Sequence, residues 1–222
     1  MAKNSAAAQR RRQKAEERRL QRIREERRRK ILTISGVAGV AVVVLGLVGF
    51  GVYTEIDRRN IEGLRTFDDL TNEHVTETVD YEQTPPVGGD HHAIWQNCGA
   101  YDAPVPTMNA VHSLEHGAVW ITYDPELPAD QVEALNSLYS DGSYVLVSPF
   151  DEADMPAPIV ASGWGTQVEL DSADDDRLSK FLRAYERSSD VPEPGAACSG
   201  GLDMTAAELE EAGGIEALAG GM

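Results

Sequence analysis

The sequence predicts an α+β fold, with a single N-terminal transmembrane helix followed by a two-layer extracytoplasmic α/β sandwich with long loops. Three observations predict it. Residues 31–52 read ILTISGVAGVAVVVLGLVGFGV, an apolar run without a charge, directly behind an arginine-rich head. Short β-branched runs alternate with amphipathic helical stretches in the second half of the chain. Between these regions lies a long stretch rich in Pro, Gly, Asp and His that shows neither a helical nor a strand period.

The head, residues 1–30, holds 13 Lys and Arg and four Glu, a net charge of +9. The rest of the chain has 7 basic and 33 acidic residues, so the overall −17 combines two regions of opposite sign. Ala, Gln, Glu and Arg favour helix in the head, and Glu25–Arg29 and Glu26–Lys30 are i,i+4 pairs in the favourable order. Only Leu20 and Ile23 interrupt its later polar sequence, which excludes a coiled-coil seam. A polybasic segment beside a membrane attracts anionic lipid headgroups at about 1 kcal/mol per basic residue. Nucleic acid is not an expected partner, because no aromatic residue is interleaved for base stacking.

As a helix, residues 31–52 would be about 33 Å long, enough to cross the hydrocarbon core of a bilayer. A cleavable signal peptide is the competing reading. It needs a short basic region, an apolar core of roughly 7–15 residues and a small-x-small exit. Here the basic region is thirty residues long and the exit reads Tyr53-Thr54-Glu55-Ile56, so residues 31–53 are read as an anchor. Basic residues stay on the cytoplasmic side. The chain is thus expected to be a single-pass protein of the cell membrane, N-terminus inside and acidic body outside. Ser35 and Gly39 form a small-xxx-small pair, a weak signal for helix association.

Residues 54–70 read as a linker, 71–200 as the extracytoplasmic domain and 201–222 as an acidic tail. The 169 residues from Thr54 onward suffice for one domain with its own core. A helix is expected over Asn109–His116, closed by Gly117, then a strand over Ala118–Tyr123. Val132, Leu135 and Leu138 mark an amphipathic helix between Pro128 and Tyr139. Tyr144–Ser148 is a second strand, and Ile159–Ser162 with Thr166–Leu170 reads as a hairpin around Gly163-Trp164-Gly165. Leu178, Phe181, Leu182 and Tyr185 line one face of a helix over Asp174–Arg187. The tail contains a Thr205/Glu208 capping box, although its glycines and charge favour a loosely held segment.

Cys98 and Cys198 are the only cysteines, and both follow the anchor. In an oxidising space they are expected to pair, stabilising the fold by roughly 3–5 kcal/mol in the chain-entropy model. The alternative is that one of them is a soft metal ligand. All five histidines, His74, His91, His92, His112 and His116, fall in a window of 43 residues. His112 and His116 share a helix face at i,i+4, the spacing by which two imidazoles reach one ion. His91 and His92 are candidates to complete the site across the loop, with Met108 as a soft auxiliary ligand. Such a set suits copper or zinc. The alternative is that the histidines satisfy buried backbone groups in a loop-rich region.

The string His112-Ser113-Leu114-Glu115-His116 also matches H-x-x-E-H, a zinc-peptidase signature with Glu115 as general base. Against that chemistry, Gly117 ends the helix at once and no acidic motif on a later long helix supplies a third ligand. The chain has no G-x-S-x-G elbow, phosphate-binding glycine loop or C-x-x-C pair. No catalytic residue is assigned, and a non-enzymatic role is favoured.

Three segments, Thr84-Pro-Pro-Val-Gly-Gly-Asp-His-His92, Trp95-Gln-Asn-Cys-Gly99 and Val111-His-Ser-Leu-Glu-His-Gly117, resemble domain of unknown function 3105. The resemblance continues through Tyr144-Val-Leu-Val-Ser-Pro149 and Ala161-Ser-Gly-Trp164 to Cys198, roughly residues 60–200. It implies an actinobacterial, membrane-anchored protein with its domain outside the cytoplasm, and it implies no activity. Three function classes follow: a metal-binding domain, an accessory module of a membrane complex with no metal and a membrane-protein partner, and a zinc hydrolase.

Overall fold

The computed structural model describes residues 2–151, 153 and 155–215. The chain divides into two compact units, Met1–Asp57 and Arg58–Met222. Helix α1 (Ala2–Arg59) makes the first and runs unbroken from the basic head through the apolar run. Its stretch Arg18–Thr54 is long and apolar enough to cross a membrane. Leu45, Leu47 and Phe50 on this stretch are exposed.

The second unit is built on a mixed sheet of six strands. In chain order these are β1 (Arg65–Thr66), β2 (Gly99–Ala100), β3 (Val119–Tyr123), β4 (Val145–Pro149), β5 (Ile159–Gly163) and β6 (Thr166–Leu170). Their spatial order is β1-β6-β5-β3-β4-β2. β4 runs parallel to both β3 and β2, while the β3–β5, β5–β6 and β6–β1 pairs are antiparallel. The helices of this unit are α2 (Thr107–Glu115), α3 (Ala129–Asn136), α4 (Asp176–Tyr185) and α5 (Ala206–Glu211). The expected strands and helices form, with ends within a few residues of those read from periodicity.

Alternation along the central strands decides which face meets which helix. Val119, Ile121, Val145, Val147 and Ile159 pack with Leu135 of α3 and Phe181 of α4. Trp120 and Leu146 point the other way and pack with Ala110 and Leu114 of α2. The expected two-layer sandwich is therefore corrected to one with both sheet faces covered. The central strands are apolar at successive positions, as two-sided burial requires.

Two boundaries also change. Residues 61–70, read as the end of a linker, belong to the domain: Ile61 is buried in the core and β1 pairs with the hairpin strand β6. The start of the tail is docked as well. Leu202 is buried, its carbonyl accepts from Asn97 N–H, and its own N–H donates to the Trp95 carbonyl. The Thr205/Glu208 capping box forms and opens α5. The partners of both segments are distant in sequence, so no local pattern marks the docking. Residues 216–222 of the tail lie outside the described residues.

The stretch between β1 and β2 is held by hydrogen bonds from β6, the hairpin turn and α2. Gln167 Nε2 on β6 donates to the Pro85 carbonyl (2.8 Å), and Gly165 N–H in the hairpin turn donates to Val87 (2.8 Å). From α2, Asn109 Nδ2 donates to Ile94 O (2.6 Å) and Ser113 Oγ to Gln96 O (2.6 Å). Cys98 and Cys198 form the expected disulfide, with Cα atoms 5.3 Å apart.

Candidate metal centre

Three segments bring the donors together. α2 presents His112 and Glu115 on one face, with His116 at its C-terminal cap. Gly117, at φ +93°, then turns the chain. Its N–H donates to Leu114 O and that of Ala118 to Ser113 O, a Schellman closure that satisfies the last turn of the helix. The second segment is a parallel bridge between His74 and His91, in which Val75 N–H donates to His91 O and His91 N–H to Glu73 O. The third is the stretch around Glu193, whose N–H donates to the carbonyl of Glu115 (3.2 Å).

His74, His91, His112 and Glu115 form one group, and His112, His116 and Glu193 another, with donor atoms in each lying within 4.8 Å of one another. His91, Glu115 and His112 are 0%, 1% and 3% exposed. The His74 ring stacks on His112 with centroids 4.8 Å apart, and His112 meets His116 edge to face at 4.6 Å. Trp164 lies against His91, and Trp95 against His112 and His116. These indoles restrict solvent on two sides.

Backbone carbonyls set the imidazole orientations. His91 Nδ1 lies 2.8 Å from Gly89 O, His112 Nδ1 2.7 Å from His92 O, and His116 Nδ1 2.6 Å from Ala197 O. A carbonyl only accepts, so each Nδ1 carries the hydrogen, and in the neutral ring the lone pair sits on Nε2. Bonds of this kind from the far ring nitrogen to a carbonyl orient histidines that ligate metals.

His91 Nε2 lies 2.9 Å from Glu115 Oε2, and His74 Nε2 lies 3.9 Å from the same oxygen. Despite the 2.9 Å separation, both His91 Nε2 and Glu115 Oε2 are buried without a hydrogen bond. They are close in distance but not aligned as donor and acceptor. Glu115 Oε1, by contrast, accepts from Asn72 Nδ2 at 2.8 Å. Burial pushes the His112 imidazolium down to about 4, the surrounding histidines add to the effect, and its bond to the His92 carbonyl opposes it. His112 is thus held neutral, as a ligand must be.

Of the expected set, the structure puts His91 with His112 in one group and His116 with His112 in the other. His92 takes a different part: its Nδ1 accepts from Ile94 N–H (3.1 Å), and its carbonyl orients His112. Burial, with His74 and His91 nearby, lowers its pKa. Met108 is half-buried, one helical turn before His112. Cys98 is committed to the disulfide, which removes the thiolate-ligand alternative. His74 and Glu193 lie outside the set the sequence predicts, in which Glu115 enters only as a base. Glu115 had a signal, being i+3 from His112 on one helix face. His74 depends on a nonlocal bridge and Glu193 on a loop return, and neither leaves a local pattern.

Fold and donor set together define an α+β domain with a buried His/Glu cluster able to hold a metal ion. Residues 74–200, more than half of the chain, match the family model described as Protein of unknown function (DUF3105), and the chain belongs to that family. The matched region starts at His74 and includes all five histidines and both cysteines. No curated protein and no solved structure matches the chain.

Proposed function

We propose that this domain binds one divalent transition-metal ion, zinc or copper(II), through Nε2 of His74, His91 and His112 and a carboxylate oxygen of Glu115. The buried pair His91 Nε2 and Glu115 Oε2 carries the reading, 2.9 Å apart and without a hydrogen bond. With its hydrogen on Nδ1, His91 keeps the Nε2 lone pair beside a carboxylate, and a cation next to both would relieve the repulsion between two electron-rich atoms. A proton between them would make a hydrogen bond, and the atoms are not aligned for one. Three imidazoles and a carboxylate suit zinc or copper(II). Copper(I) would favour thiolate, and both cysteines are oxidised.

The same reading gives the protein a membrane address. α1 anchors it, the basic head lies on anionic headgroups inside, and the metal-binding domain faces outward. The apolar run and the charge asymmetry support this, as does a disulfide, which persists in oxidising spaces. The peptidase reading requires His112 and His116 to share an ion while Glu115 stands off as base. His112 and His116 do share a group, with Glu193, but Glu115 falls in the other group as a donor beside His74, His91 and His112.

The test is elemental analysis and zinc and copper(II) titration of the full chain in nanodiscs. One equivalent per chain is expected, with Glu115→Gln weakening affinity by at least about tenfold. No uptake at micromolar ion would end the metal reading and leave a membrane-tethered accessory module.

A further inference from the structure

Both donor groups contain His112, yet this residue has only one free donor atom. Its Nδ1 is committed to the His92 carbonyl at 2.7 Å, so Nε2, with a single lone pair, serves either group. Two ions would each need that lone pair at once. The groups also differ in character. The first has four donors, two of them the almost fully buried His91 and Glu115. The second has three, and its carboxylate, Glu193, is 48% exposed and 3.3 Å from His116 Nε2.

The geometry points to one ion with two stations: capture at His116 and Glu193, then transfer, pivoting on His112, to the four-donor group. This rests on the metal-binding reading above and adds a route to it. Glu193 offers a negative charge to an incoming cation at the surface. The exposed donor of the first group, His74, is a ring whose side chain is 44% exposed and offers no such charge when neutral. Moving inward, the ion exchanges the donors of the outer station for a group with one more ligand, while His112 stays attached throughout. The outer station is held in place by the segment ending at Cys198. Ala197 O accepts from His116 Nδ1, and Cys98 N–H donates to Cys198 O beside the disulfide.

The experiment uses the full chain in nanodiscs, with Zn²⁺ alone as the ion and a chromophoric chelator to follow loading and release by stopped flow. Wild type is expected to bind one equivalent. Glu193→Gln, an isosteric change at a half-exposed side chain, is expected to slow loading and release together by about tenfold, with the dissociation constant moving less than either rate. Glu210→Gln, on α5 outside both groups, should keep wild-type rates. Two equivalents in the wild type would overturn the shared-lone-pair argument. Wild-type rates in Glu193→Gln would remove the capture station, and an affinity loss as large as that of Glu115→Gln would merge the two groups into a single site. No zinc bound by the wild type would instead overturn the metal reading itself, and the two-station route with it.

Discussion

Glu115 is where the energetics of this site concentrate. A carboxylate at 1% exposure loses its hydration, and its nearest imidazole nitrogen does not donate to it. Metal-free Glu115→Gln is therefore expected to be at least as stable as wild type, because the uncompensated charge is gone and the Asn72 contact leaves the shape intact. Added zinc should stabilise wild type by about 2.7 kcal/mol at a hundredfold excess over its dissociation constant, and the variant far less. Thermal melts with and without zinc check this, and a metal-free variant that melts well below wild type would count against it. His112 sets a pH dependence. Its folded value is depressed from 6.5 to about 4, so between these pH values the unfolded chain binds a proton that the folded chain does not. Its contribution to stability is complete above 6.5 and is lost as pH falls toward 4. Urea unfolding of the metal-free protein should show the difference between wild type and His112→Gln shrinking over that window, and parallel curves would refute it.

At the scale of elements, α2 is the organising piece. Its apolar side meets Trp120 and Leu146, while Asn109 and Ser113 fasten the incoming loop and His112 and Glu115 face the cluster. Its end matters as much as its length. A Cβ at Gly117 would come within 3.3 Å of the Arg187 backbone at a φ of +93°. Gly117→Ala is expected to destabilise the fold by about 1–3 kcal/mol through backbone strain and to weaken zinc binding by shifting His116 and Glu115. Urea midpoints and zinc titration measure both, and unchanged values would show that the turn tolerates a side chain. α2, β3 to β6, α3 and α4 were legible because their periods are local. The edge strands β1 and β2, each of two residues, were not legible, since a two-residue strand has no period and exists only through its partner.

For the whole molecule, one covalent link joins the loop before α2 to the segment after α4. The Cys98–Cys198 bond closes a separation of 100 residues, and on chain entropy its removal is expected to cost about 4–5 kcal/mol. Reduction should lower the melting temperature and slow zinc loading and release, as Glu193→Gln does, because the segment carrying Glu193 and Ala197 loses its tie. An unchanged release rate in the reduced, still-folded protein would separate the disulfide from the site. The charge asymmetry makes a topological prediction as well. A reporter active only outside the cytoplasm should work when fused after Met222 and fail when fused after Lys30, and the reverse result would invert the orientation.

The sequence by itself determined what depends on neighbours along the chain: an apolar helix long enough for a bilayer, the order of strands and helices, and a capping box at Thr205. It also put all five histidines within one short window. Only the tertiary structure decided which of them converge. His74 and His91 meet through a bridge 17 residues apart, and Glu193 arrives 77 residues after His116. His92 is next to His91, yet it turns its ring to Ile94 and its carbonyl to His112. A metal site is defined by the directions of lone pairs in space, and those directions are set by backbone carbonyls that no local pattern records.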